Sequence, residues 1–174
     1  MLDRLFDFLR DFIGLFKCAV VVDQYEIGLV LRLGKLHKIM EKPGFYWLAP
    51  FYIDRAMTDT CVLAARDLPM QSVTLADGTT VAVGPVVSFK TNDAQKFFLE
   101  VDDAEAALRD SARGTIREVL SAMTWDQVAD PNGAALDELT KAVRKQAWRF
   151  GIEVTQVKLA DLSKARTLRL ITGG

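Results

Sequence analysis

The sequence predicts an α+β fold: an antiparallel-rich sheet packed with helices, preceded by an N-terminal amphipathic helix. Three observations carry this. Strand patterns separated by turn dipeptides fill the stretch from about residue 20 to residue 89. Helical periodicity then takes over to about residue 150, and one more strand pattern follows it. The first seventeen residues, wound at about 100° per residue, divide into two unmixed halves.

In that first helix Leu2, Leu5, Phe6, Phe8, Leu9, Phe12, Ile13, Leu15 and Phe16 fall on one half of the wheel. Asp3, Arg4, Asp7, Arg10, Asp11, Gly14 and Lys17 fall on the other. Each large apolar side chain gains roughly 1.5–3 kcal/mol when fully buried, so the face must be covered by its own domain, a protein groove or a lipid surface. Three acids balance three bases, so lipid attachment through this helix would be driven by apolar burial more than by anionic headgroups. The longest apolar stretch, 12–22, is interrupted by Lys17 and falls short of the ~20 residues a spanning helix needs. Asp3, Asp7 and Asp11 also make it a poor signal peptide.

A first strand follows, where Ile27, Leu29, Leu31 and Leu33 alternate with Gly28, Val30 and Arg32 until Gly34-Lys35 ends it. Residues 35–42 read as a basic loop containing His37, closed by the Pro43-Gly44 turn. Five of the sixteen aromatic residues then crowd into positions 45–52, which fits either a core strand and turn or an interfacial belt at headgroup level. Residues 59–68 read as a strand with Cys61 in the core. Residues 70–75 and 79–89 form a hairpin about Ala76-Asp77-Gly78, with Val81, Val83, Val87 and Phe89 on one face and an edge or bulge at Pro85. Asn92 or Asp93 caps a short helix, and Asp102 or Asp103 caps a longer one with Leu108, Ala112, Ile116, Val119, Leu120 and Met123 inward. Thr124 starts a turn around Trp125. After Pro131-Asn132-Gly133 a last helix turns Leu136, Leu139, Val143, Ala147 and Phe150 inward and ends at Gly151. The closing strand begins at Ile152 and switches its apolar face near Thr155-Gln156, the mark of a bulge.

The chain of 174 residues, half of them apolar, is long enough for one domain with a sizeable core. With 22 basic and 23 acidic residues it lacks the surplus that nucleic acid binding requires. Cys18 and Cys61 lack metal-ligand spacing and read as thiols of a reducing compartment, on the cytoplasmic side of a membrane. Cys18, beside the amphipathic helix, is a small buried thiol or, in a eukaryotic cell, an acylation site.

Ordered pieces of the sequence resemble the band 7 or SPFH domain of stomatins, prohibitins and flotillins. Tyr25-Glu26-Ile-Gly28 through Gly34-Lys35 resembles the family's opening strand. Pro43-Gly44-Phe45-x-Trp47-x-x-Pro50 resembles its proline-glycine, aromatic, proline segment. Thr74-x-x-Asp77-Gly78-x-x-Val81-x-Val83 resembles its hairpin, Arg113-x-x-Ile116-Arg117-x-Val119-Leu120 its long helix, and Gly151-Ile152-Glu153-Val154-x-x-Val157-x-Leu159-x-Asp161 its closing strand. The resemblance covers about residues 20–161. It implies a non-enzymatic, membrane-attached scaffold that oligomerises and organises or regulates membrane proteins and lipids. The family's long heptad-rich helix has no counterpart here, since residues 162–174 have room for only a turn or two. The expectation is a small homo-oligomer, or co-assembly with longer relatives.

The organisation expected is therefore an attachment segment at 1–22, the domain at 23–161 and a short tail at 162–174. Phe45, Tyr46 and Trp47 join the apolar residues of the helix as candidate membrane-binding residues, with Lys35, Lys38 and Lys42 near enough to meet anionic headgroups. The alternative is an adaptor that regulates one membrane protease or channel through the helix without binding lipid. A small hydrolase is disfavoured. There is one histidine, no nucleophile-elbow serine, no visible Cys-His pairing, no zinc spacing and no phosphate loop, so neither cofactor nor metal is expected. Asp77-Gly78 reads as a turn, Asp102-Asp103 as helix-start chemistry, and Arg113 and Arg117 as either exposed helix arginines or a basic strip for a partner.

Overall fold

The computed structural model describes residues 19–51, 53–130 and 133–165. The amphipathic helix expected over 1–17, and Cys18, lie outside the described residues. The strands are β1 (Ala19–Val22), β2 (Glu26–Arg32), β3 (Lys35–Met40), β4 (Gly44–Trp47), β5 (Asp54–Thr60), β6 (Ala64–Asp67), β7 (Gln71–Thr74), β8 (Thr80–Thr91) and β9 (Ile152–Lys164). Between β8 and β9 come helices α1 (Ala94–Leu99), α2 (Ala104–Ser121), α3 (Trp125–Val128) and α4 (Ala134–Ala147), and a 3-10 turn at Trp148–Phe150. This is the expected α+β order, and every strand pair is antiparallel.

The larger core forms where α2 and α4 cover one face of β8 and β9. Leu108, Ala112, Ile116 and Leu120 of α2, and Leu139, Val143 and Ala147 of α4, meet Val81, Val83, Val87, Phe89, Ile152, Val154 and Val157. Val119, Leu136 and Phe150 sit at its margin, partly buried. The helix starts are fixed by side-chain oxygens: Asp93 accepts from Lys96 N and Asp103 from Ala106 N, while Thr124 N donates to Gln127 Oε1. β8 is central, with β9 along one edge and β6 and β7 in turn along the other. Pro85 falls in the gap where β7 has ended and β6 has not begun. The register to β9 shifts there, and the Pro85 carbonyl accepts from Leu68 N. A second register shift leaves Thr155 as the extra residue of β9, the bulge expected from the change of apolar face. Leu162–Lys164 continue β9.

The smaller lobe is built from β1 to β5. β3, β2 and β5 form one sheet, and β1 pairs with β4 as a ribbon laid over it. Val22, Val30 and Met40 are its buried centre, with Val20, Tyr46, Leu48 and Ala56 packed around them. β2 runs beside α1 and β5 beside β8, which joins the lobes.

Four local readings are corrected. Residues 35–40 form strand β3 with His37 exposed on it, paired to β2 from Lys35 to Met40 around a register shift. Leu33 leaves the alternating face of β2. It enters the β2–β3 turn with φ +49°, followed by Gly34 at +80°, and both central residues of such a hairpin turn take positive φ. The single strand expected at 59–68 is two, since β5 ends at Thr60 and β6 starts at Ala64. Cys61, in the break, is only half-buried.

Candidate functional site

One end of the smaller lobe gathers exposed apolar side chains on a stiff frame. The frame starts at Asp54, a buried carboxylate at the first residue of β5. Its Oδ1 accepts from Arg32 Nε at 2.7 Å and its Oδ2 from Arg32 Nη2 at 2.9 Å. Ala49 N also donates to Oδ2, at 2.8 Å. A bidentate guanidinium and a backbone amide are strong, geometry-specific partners for a carboxylate. The Arg32 hydrogen bonds first, and the Ala49 amide second, hold the Asp54 carboxyl well below the usual carboxylate range. Leu33 N donates to Ile53 O at 2.8 Å, so the β2–β3 turn and the loop at 48–53 are fastened side by side.

Three large apolar residues project from this frame: Leu33 is 78% exposed, Trp47 77% and Phe51 57%. Leu33 and Phe51 are the only non-glycine residues with positive φ among the described residues, at +49° and +59°. That conformation costs an L-residue roughly 1–2 kcal/mol, and Gly or Asn takes it more cheaply. Trp47 continues onto the outer face of the β1–β4 ribbon, where Phe45 meets it edge-on with ring centroids 5.1 Å apart. Exposed Val21 stands opposite Phe45 in the same register. Ala19, the first described residue, is the Cα partner of Trp47. The described part of the chain therefore begins at this same end.

Of the membrane-binding residues expected from sequence, the fold brings Phe45 and Trp47 together on the exposed face. Tyr46 points the other way. It packs on the small core, its hydroxyl donates to Lys42 O at 2.7 Å, and Lys38 Nζ lies 4.7 Å from its ring centre. Leu2, Leu5, Phe6, Phe8, Leu9, Phe12, Ile13, Leu15 and Phe16 lie outside the described residues. Sequence reasoning missed Leu33 as a surface residue and left Phe51 open between core and interface, as part of the aromatic run at 45–52. The available signal was Leu33-Gly34 as a turn dipeptide and Pro50-Phe51 as a break after the aromatic run.

Other features have different roles. Asp77 accepts from Thr79 N and, across the fold, from Trp125 N at 2.9 Å. The Trp125 and Thr79 amides, in that order, hold its carboxyl below its ordinary value, and it ties the hairpin to the start of α3. Arg113 and Arg117 flank β7, where the Arg113 carbonyl accepts from Gln71 and the Arg117 guanidinium donates to Ser72 O. A depression of about 300 Å³ lined by Ala122, Met123, Gln127, Asp130 and Glu138 holds no nucleophile–base pair among its described residues. No helix of the described residues is long and apolar enough to cross a membrane.

Comparison with known proteins bears on the whole domain. The model of the SPFH domain / Band 7 family matches residues 20–169. The chain belongs to this family. An uncharacterized protein of Methanocaldococcus jannaschii is 28% identical over 88% of this chain and 76% of its own length. Stomatin-1 of Caenorhabditis elegans is 26% identical over 89% of this chain, and mouse stomatin 24% over 86%. The chain spans about half the length of these two stomatins, 47% and 53%. The SPFH assignment agrees with the resemblance read from the motifs, and the mixed α+β architecture with the fold expected from it.

Proposed function

We propose that this SPFH protein is a membrane-surface scaffold that attaches by residues 1–17 together with the exposed tip of its smaller lobe. The carrying observation is Leu33 and Phe51 held outward at positive φ beside Trp47, at the end where Ala19, the first described residue, pairs with Trp47. Apolar side chains kept exposed at a conformational cost have a use for that exposure. A bilayer interface rewards leucine and aromatic side chains, tryptophan above all. Attachment is peripheral or monotopic, the partners are membrane lipids and membrane proteins, and the domain self-associates or co-assembles with longer relatives. No catalytic role is assigned.

Liposome flotation of the full chain tests this. The parent floats, and Phe12→Asp, with a charge at the middle of the apolar helical face, stays with the soluble fraction while its unfolding transition is unchanged. Leu33→Asn lowers the affinity for vesicles by about tenfold, the effect of withdrawing one leucine worth about 1.5 kcal/mol. A parent that stays at the bottom of the gradient yet forms oligomers overturns lipid attachment in favour of the adaptor reading, in which the helix fills a groove on a protease or channel.

A further inference from the structure

Charge in the smaller lobe is segregated by ends. β2 runs from Glu26 to Arg32, a distance of about 20 Å at the usual strand rise. At its Glu26 end lie Asp23, Glu26, Glu41 and Asp59, with Lys42 as the one base. At its Arg32 end lie Arg32, Lys35 and Arg55, with Asp54 as the one acid, and Arg32 neutralises it. Lys35 is the Cα partner of Arg32, and Arg55 of Leu31. Cross-strand partners share a face and neighbours in a strand alternate, so the two cations flank the Leu33 turn on opposite faces of the sheet. Both are exposed, and neither forms an ion pair among the described residues. Lys38, mid-strand, is engaged with the Tyr46 ring. A projecting leucine between two unpaired cations, with acids at the far end, matches an anionic interface in both hydrophobicity and charge.

We propose that the tip selects anionic bilayers: Lys35 and Arg55 pair with headgroup phosphates while Leu33 enters the interface, and the acidic end holds β2 upright. This rests on the membrane reading above and adds the lipid class. The residues of the first helix balance in charge, so the selectivity belongs to the folded tip.

The test is flotation of the full chain with phosphatidylcholine vesicles and with phosphatidylcholine mixed with phosphatidylglycerol. A juxtamembrane Lys or Arg strengthens binding to an anionic surface by about fivefold, so the mixed vesicles should bind roughly 25-fold more tightly. Added salt should erase the difference, because it screens exposed charges. The double variant Lys35→Gln, Arg55→Gln should lose this preference, keep the binding to phosphatidylcholine and unfold as the parent does. Glu41→Gln changes net charge at the far end, beyond a Debye length of about 10 Å, and should leave the ratio as it is. Equal binding of the parent to both vesicles, or a preference that survives the double variant, overturns the inference while membrane attachment stands. No binding to either vesicle overturns the attachment and the inference with it.

Discussion

Gly151 and Gly28 show what single residues contribute. Gly151 has φ +73°, and its carbonyl accepts from the amides of Asn92 and Asp93. A Cβ there would overlap the Asp93 carbonyl oxygen and stand 2.9 Å from Phe97 N. Gly151→Ala should therefore destabilise by about 2–4 kcal/mol, combining the left-handed penalty with displacement of α1. Gly114, in the exposed middle of α2, has open space around it, so the same change there should stabilise by about 0.5–1 kcal/mol. Urea unfolding of the two variants checks the opposite signs. Gly28 gives the family-like Glu-x-Gly motif a physical reason, because a Cβ would collide with the Met57 carbonyl of the adjoining strand. Asp54 sets a pH dependence. Its folded pKa lies below its unfolded value of about 3.9, so its stabilisation is complete above the unfolded value and is lost as pH falls through the folded one. Unfolding measured from neutral to acid pH should show a shallower acid decline in Asp54→Asn than in the parent. A parallel decline would remove Asp54 from the frame.

Elements were most legible where a periodic pattern met a cap or a turn. The stripe from Leu108 to Met123, the caps Asp93 and Asp103, the Asp77-Gly78 hairpin and the bulge at Thr155 are each written in a few neighbouring residues. Strand β3 was not, because three polar residues in Lys35–Met40 hide an exposed strand that only its pairing with β2 reveals. The bulge also shows how two elements complete one another. Opposite it, α4 presents Thr140, whose Oγ1 accepts from Val157 N at 3.0 Å and donates to Leu136 O at 2.7 Å. Arg144 donates to the carbonyls of Val154 and Thr155. The bulged backbone thus finds on a helix the partners that a ladder strand would have supplied. Thr140→Val keeps the shape and orphans the Val157 amide, so it should cost about 1–3 kcal/mol in chemical denaturation. A neutral result would mean that the amide finds another partner.

At the scale of the whole molecule, the exposed apolar tip is assembled from residues far apart in the chain. Phe45 and Trp47 were legible because aromatic residues cluster there. Leu33 was not, because its exposure depends on positive φ and on the Leu33–Ile53 hydrogen bond between two loops, and Phe51 stayed open between core and interface until its place in the second loop was seen. Nor did the sequence alone show that Tyr46 turns inward, since that follows from the pairing of β1 with β4. This pairing also sets Ala19, the first described residue, opposite Trp47, and the proposed function reads helix and tip as one attachment surface. The most direct test of that claim reads Trp47 itself. In a variant with Trp125→Phe and Trp148→Phe, Trp47 is the sole tryptophan. On vesicles carrying bromine-labelled acyl chains, its emission should shift to the blue and be quenched most by bromines near the interface. Vesicle-bound protein whose Trp47 keeps its solvent-exposed spectrum and escapes quenching would contradict the account.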